Sequence, residues 1–323
     1  MIGNFLGKWG RTTAFVAAFL VAGVGADAAA PMVKTPAPGF FRMMLGDFEI
    51  TALNDGTANL PVDKYLTNIT PERVTAALTS AHLPPPVETS FNAFLVNTGS
   101  KLVLIDSGAG AMYGPTLGKL VANLKASGYQ PEQIDEIYIT HMHLDHIGGL
   151  VANGKPVYAN AVVRADKAEA DYWLSQDNLD KAAEDAKGRF RNAQAAFGPY
   201  IAEGRFKPID GAAELVPGVT AQPSKGHTPG HNSYVVASKG QKLVLIGDLI
   251  HVGSVQFAEP SATMSFDTDS KMAAAERLRQ FKDAAQQGYL IGAAHLSFPG
   301  IGYVHANGSA FTWQPVNFTQ VNN

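Results

Sequence analysis

The 323-residue chain has no cysteine, only 16% charged residues and no run of basic side chains. Without cysteine there is no disulfide scaffold, no thiolate-ligated zinc, no thiol nucleophile and no lipoprotein anchor. A formal net charge of −3 leaves no electrostatic footprint for nucleic acid. Any metal must be held by carboxylates and by some of the nine histidines. With 46% hydrophobic residues the chain is not disordered, and its length allows two average domains or one large one.

Lys8 and Arg11 precede an uncharged apolar stretch, Thr12 to Ala26, and small residues crowd Gly25 to Ala30. That order is the pattern of a secretory signal peptide, and the apolar stretch is short for a permanent anchor. We read residues 1–28 as the signal and 29–323 as the functional domain, with cleavage after Ala28 or Ala30. No twin-arginine pair is present, so the general export route and a periplasmic or secreted destination follow. An uncleaved N-terminal anchor is the alternative.

Phe40–Leu45 and Phe48–Leu53 read as a hairpin around Gly46-Asp47, followed by a turn at Asn54-Asp55-Gly56. Helices are expected from Thr70-Pro71 to the Pro84–Pro86 break, over Pro115–Ser127, across the polar region Asp166–Phe197, and over Ser270–Gln287 before Gly288. The intervening segments are β-branched strands, and no domain boundary is visible. Lys101-Leu102-Val103-Leu104-Ile105 recurs unchanged as Lys242 to Ile246. Each copy follows an aromatic-led strand and a Gly-containing turn, and each leads to an aspartate, Asp106 or Asp248. Two such halves predict an α/β fold of four layers, two face-to-face sheets with helices outside. Continuous apolar strands need burial on both faces.

The chemistry is concentrated after the strand Glu136–Thr140, where His141-Met142-His143-Leu144-Asp145-His146 is followed by Gly148-Gly149. In an extended segment His141 and His143 point the same way and can share one metal. Asp145 and His146, being adjacent, must sit where the chain turns, aimed at a second metal. Four ligand-type side chains in six residues are not what a polar surface loop needs. Further candidates are His227 in a Gly-His-Thr-Pro-Gly-His turn, Asp248 after an apolar strand and His295 at the end of another. A buried, unpaired Asp248 would be costly unless it bridges metals. His231 is expected to steady the His227 turn, Asp106 to tie loops beneath the site, and His82 and His305 to lie at the surface.

This pattern resembles the metallo-β-lactamase superfamily, whose ligands run His-x-His-x-Asp-His, then His, Asp and His. The likeness is nearest to methyl parathion hydrolases and their lactonase-type relatives, and extends to Leu45–Leu53, Gly114–Gly118 and His295–Gly302. The resemblance implies an αββα sandwich in which His141, His143 and His227 hold one ion. Asp145, His146 and His295 hold the other, and Asp248 bridges. The implied cofactors are two divalent ions, zinc first, with manganese, cobalt or iron as alternatives. Their net positive charge suits polarisation of a carbonyl or phosphoryl oxygen, with a bridging hydroxide as nucleophile. Asp145 or Asp248 would pass the proton to the leaving group. Asp248 in the bridging place excludes β-lactamases with a cysteine ligand. RNA-processing relatives need basic clamps that are absent here.

The resemblance also implies a pocket lined by Tyr65, Tyr113, Trp173, Arg189, Phe190, His251, Met264 and Phe266. Aromatic walls suit a small neutral ester or lactone. Departures from the phosphotriesterase pattern fall at Tyr65, Arg189, His251, Met264 and Phe266, reshaping the mouth and leaving the ligands alone. The expectation is a lactonase or aryl-ester hydrolase, with phosphotriester cleavage as a side activity. An organophosphate hydrolase is the alternative reading, and a metal-loaded binding protein without catalysis the alternative of another class. No nucleic-acid partner and no stable membrane association are expected, and a homodimer is compatible with the sequence.

Overall fold

The computed structural model describes residues 1, 3 and 30–321. The segment read as a signal peptide therefore lies outside the described residues, apart from Met1 and Gly3. Residues from Pro38 onward form one compact unit. No helix among the described residues is long and apolar enough to cross a membrane.

Two sheets carry the fold. The first is ordered Phe40–Leu45, Phe48–Leu60, Val87–Asn97, Leu102–Ile105, Glu136–Tyr138 and Val162–Arg164. The second is ordered Ala213–Val216, Val219–Pro223, Asn232–Ser238, Gln241–Leu245, Leu290–Gly292, Ile301–Asn307 and Ala310–Pro315. The repeated Leu-Val-Leu strands occupy matching places. Leu102–Ile105 pairs antiparallel with Val87–Asn97 and parallel with Glu136–Tyr138. Gln241–Leu245 pairs antiparallel with Asn232–Ser238 and parallel with Leu290–Gly292.

Alternation along these strands builds the layers. Val103 and Ile105 face inward against Leu243, Leu245 and Val236, with Tyr138 stacked on Tyr234 at 5.5 Å between the sheets. Leu104 and Ile137 face outward against Leu120, Leu124, Phe197 and Tyr200 of two covering helices. On the far side, Val244 and Ile291 pack against Phe281 and Ala284 of the helix Ser270–Gln287. The result is the four-layer αββα sandwich.

The last helix matches its expected bounds. Asp269 caps it by accepting from Met272 N–H (2.9 Å), and Gly288, at φ +70°, ends it in the left-handed region. Three other expectations are corrected. Asn54-Asp55-Gly56 is a bulge inside one long strand, Phe48–Leu60, because its pairing with Val87–Asn97 resumes past the irregularity. There Asp55 is buried and accepts from the N–H groups of Ala109, Gly118 and Leu120 at 2.9–3.1 Å. The helix expected over Pro115–Ser127 begins at Leu120, since Gly110–Tyr113 forms a separate 3-10 turn and Gly118 sits at φ +79°. The polar region is three helices, Lys167–Trp173, Gln176–Lys181 and Lys187–Ala202. Asp166 and Ser175 cap the first two, and Ala182 breaks from helical geometry.

Candidate metal centre

The parallel pairs of the two sheets end side by side, and each delivers its candidate ligands just past a strand. His141 and His143 leave the strand Glu136–Tyr138 in extended chain. Asp145 and His146 lie on the single turn of helix Leu144–Ile147. Asp248 follows Gln241–Leu245, and His295 follows Leu290–Gly292. His227 arrives from the loop before Asn232–Ser238.

These side chains converge as two groups sharing Asp248: His141, His143, His227 and Asp248, and Asp145, His146, Asp248 and His295, with the donor atoms of each within 4.8 Å of one another. In the first group, His143 Nδ1 is 3.0 Å from His141 Nε2 and 3.1 Å from His227 Nε2, and Asp248 Oδ2 lies 3.6 and 3.5 Å from those two Nε2 atoms. In the second, His146 Nε2 lies 3.4 Å from Asp145 Oδ2 and 3.2 Å from Asp248 Oδ1; His295 Nε2 stands 3.4 and 3.2 Å from the Oδ2 atoms of the same aspartates. A tetrahedron with zinc-like bonds of about 2.0–2.1 Å has edges of about 3.3 Å, so both donor sets fit a divalent ion.

Proton placement agrees with that fit. Asp106 accepts from Thr140 N–H and its hydroxyl, and from His146 Nδ1 at 2.8 Å. Thr140 Oγ1 in turn meets His141 Nδ1 at 3.1 Å. Asp267 meets His227 Nδ1 at 2.7 Å, and the Ser90 carbonyl meets His295 Nδ1 at 3.2 Å. Each outer partner takes the Nδ1 proton, which leaves the Nε2 lone pair facing the centre. His146 Nε2 and Asp248 Oδ1 are buried without a hydrogen-bond partner, a costly state that a bound cation would remove.

The charges point the same way. Burial alone would push His146 and His295 down, yet the aspartates overcome it. Asp248, Asp145 and Asp106 hold His146 well above its ordinary value, and His295 is raised to about 10. Burial would likewise raise Asp145 and Asp248, but the neighbouring histidines hold both well below the carboxylate range. The cluster thus attracts positive charge at its middle, and a divalent ion supplies it without protonating the rings.

Other residues secure these loops. His231, kept neutral by burial and pushed down to about 3, takes Asp248 N–H on Nε2 (3.1 Å) and turns Nδ1 to Ser224 Oγ (2.8 Å). It therefore braces Asp248 as well as the His227 turn. Sequence reasoning missed Glu169. Fully buried, its carboxylate accepts from Met142 N–H and Gly230 N–H, both at 2.8 Å, and staples the two ligand loops together. Only glycine fits at 230, where a Cβ would stand 2.2 Å from Glu169 N. Arg277, also fully buried, donates to the carbonyls of Leu249, Pro260 and Ala262 and fixes the loop bearing His251. Neither residue is near the ligands in sequence, so no local spacing signals it. Asp267 is missed for the same reason.

A cavity of about 240 Å³ opens over the centre, lined by Tyr65, Tyr113, Arg189, His251, Met264 and Phe266, with Asp145, Asp248 and His295 at its base. Trp173 and Phe190 do not line it. They belong to the core beneath, where apolar helix faces cluster, with Trp173 edge-on to His143 at 5.6 Å and against Phe190 at 4.8 Å. His251 does more than line the cavity: its Nε2 lies 3.1 Å from Asp248 Oδ2, and burial pushes it down to about 4. His82 and His305 are exposed, as expected.

Known proteins resemble this chain in sequence and fold. A family model described as the metallo-beta-lactamase superfamily matches residues 88–287. An N-acyl homoserine lactonase of Bacillus cereus is 28% identical over 162 residues, 50% of this chain and 56% of that protein, so the chain spans about half the length of the curated relatives it matches. Among solved structures, the hydrolase AbOPH of the beta-lactamase superfamily is 38% identical, covering 88% of this chain and 100% of its own, with a TM-score of 0.84. AidC, a dizinc quorum-quenching lactonase solved with a product, N-hexanoyl-L-homoserine, is 27% identical over 87% of this chain and 99% of its own, with a TM-score of 0.80. With its sandwich, its two ligand groups and a family match over residues 88–287, which hold six of the seven candidate ligands, the chain belongs to the metallo-β-lactamase superfamily.

Proposed function

We propose that the protein is a metal-dependent hydrolase with two divalent ions, most readily zinc, that cleaves lactones or aryl esters. The observation that carries this reading is the pair of donor groups sharing Asp248 at the base of an apolar cavity. His141, His143 and His227 would hold one ion, Asp145, His146 and His295 the other, and Asp248 both. Held there, the ions would supply Lewis-acid polarisation of the substrate oxygen and bring the pKa of water towards about 7. The chain's own groups do the rest. Tyr65, Phe266 and Met264 seat an uncharged substrate and exclude water, and the exposed Tyr113 and Arg189 meet it at the mouth. Asp145, partly accessible at the cavity floor, would ligate through Oδ2 and could carry a proton to the leaving oxygen on its other carboxylate oxygen; Asp248, more deeply buried and braced by His231 and His251, would serve chiefly as a ligand.

Lactone cleavage is favoured by the likeness to AidC and to the Bacillus cereus lactonase. Phosphotriester cleavage is ranked as a side activity, because Tyr65, Arg189, His251, Met264 and Phe266, which line the cavity, are where the sequence departs from the phosphotriesterase pattern. We infer export from the N-terminal pattern of Lys8, Arg11 and the apolar stretch that follows. The test is comparative kinetics on dihydrocoumarin and methyl parathion with metal-replete protein. A higher kcat/KM for dihydrocoumarin is expected, and a higher value for methyl parathion reverses the ranking. No hydrolysis of any ester, lactone or phosphotriester would favour a metal-loaded binding protein instead.

A further inference from the structure

Apart from the histidines, three charged side chains line the catalytic cavity: Asp145, Asp248 and Arg189. Both aspartates belong to the metal-binding groups, which leaves Arg189 as a lone cation with no free carboxylate in the cavity wall. Elsewhere in the described residues Arg42, Arg73, Arg164, Arg205 and Arg279 each pair with a glutamate, and buried Arg277 holds three backbone carbonyls. Arg189 has neither kind of partner among the described residues. On the same helix Lys187 is taken by Glu184 at 2.9 Å, and Arg191 does not line the cavity. Asn192, three residues beyond Arg189 on the helix Lys187–Ala202 and so on the same face, does line it, and its amide also has no side-chain partner among the described residues. Tyr113, its ring 6.1 Å from Phe91, completes this part of the mouth. Burial raises the Tyr113 phenol and Arg189 offsets part of that rise, so the guanidinium stands within electrostatic reach of it. A guanidinium fork with an amide beside it matches the planar geometry of a carboxylate, and the protein supplies none there.

We propose that the substrate carries a carboxylate remote from its scissile ester or lactone, and that Arg189, with Asn192 beside it, receives that carboxylate at the mouth of the cavity. The inference rests on the hydrolase reading above and adds the class of substrate. The scissile group and the part seated among Tyr65, Met264 and Phe266 are uncharged; the charge sits at the solvent-facing end, where Arg189 is exposed. Such a contact acts on binding in the ground state and the transition state alike, so it is read in KM more than in kcat. An ion pair at an exposed site is worth up to about fivefold in binding, and salt screens it. The carboxylate can lie on the acyl side or on the alcohol side of the scissile bond, and the two are separable.

The experiment measures, with metal-replete protein, the ratio of kcat/KM for an acid to that for its neutral partner. The acyl-side pair is the mono-p-nitrophenyl ester of adipic acid and p-nitrophenyl hexanoate; the alcohol-side pair is 4-acetoxybenzoate and 4-acetoxybenzamide. In at least one pair the ratio is expected to fall about fivefold in Arg189→Leu and further in Arg189→Glu, through KM. Raising the ionic strength is expected to lower the ratio more in wild type than in Arg189→Leu. Ratios that Arg189→Leu leaves unchanged in both pairs, or that salt moves equally in the two proteins, overturn the proposal. Calorimetric titration with 4-hydroxybenzoate and 4-hydroxybenzamide reads the contact without catalysis: Arg189→Leu is expected to weaken the carboxylate about fivefold relative to the amide. Carboxylate binding that Arg189→Leu leaves unchanged belongs to the metal centre and overturns the proposal. If wild type cleaves neither member of either pair, the hydrolase reading fails and the calorimetry alone decides the role of Arg189.

Discussion

Two carboxylates, Asp106 behind His146 and Asp267 behind His227, decide how those imidazoles are presented, and they give the sharpest residue-level tests. Asp106, at φ +61°, takes the His146 Nδ1 proton and both donors of Thr140. Asp106→Ala should weaken binding of the second metal about 10- to 100-fold, read by competition with a chromophoric chelator, with the folded state otherwise retained. Asp267→Ala should do the same at the first metal through His227. Glu169 acts differently, because it bonds two backbone N–H groups and no ligand side chain. Glu169→Ala leaves both donors buried and unpaired, and should lower unfolding free energy by about 2–5 kcal/mol in denaturant titration even with metal present. The seven candidate ligands were legible in the sequence because spacing along strand ends and turns limits where side chains can point. Asp267, Glu169 and Arg277 were not, because they reach the site from distant helices and loops through tertiary packing alone.

At the level of elements, the repeated Leu-Val-Leu strands were readable because burial on both faces demands an uninterrupted apolar run. The helix Ser270–Gln287 was readable because both of its ends carry strong local signals, Asp269 and Gly288. Asn54-Asp55-Gly56 misled because a turn and a bulge use the same residues. What separates them is a long-range bond set, in which Asp55 holds the N–H groups that open the helix Leu120–Ala126 and brace the loop before it. Asp55→Ala should therefore destabilise the fold by about 3 kcal/mol or more, measured by chemical denaturation, because three buried donors lose their acceptor. Phe281, fully buried between Phe257 and Phe311, anchors the outer helix of the second sheet. Phe281→Ala should cost about 3–5 kcal/mol, measured by chemical denaturation, because it empties a fully buried aromatic site.

Across the whole molecule, the two halves of the sandwich meet at the metal centre, and the shared Asp248 links ligands from both sheets. Folding and metal binding are therefore coupled, since the unfolded chain does not hold these donors together. Chelation should lower Tm, and restoring metal to a hundredfold excess over its dissociation constant should return about 2.7 kcal/mol per site. The central claim is that two divalent ions in the His141–His295 cluster drive ester or lactone hydrolysis. It is tested most directly by stripping the purified protein with a chelator and titrating zinc back while following dihydrocoumarin hydrolysis. The account predicts no activity in the stripped protein and a rise that saturates at two equivalents of metal per chain. Activity that survives complete metal removal, or that never appears at any metal loading, would contradict it.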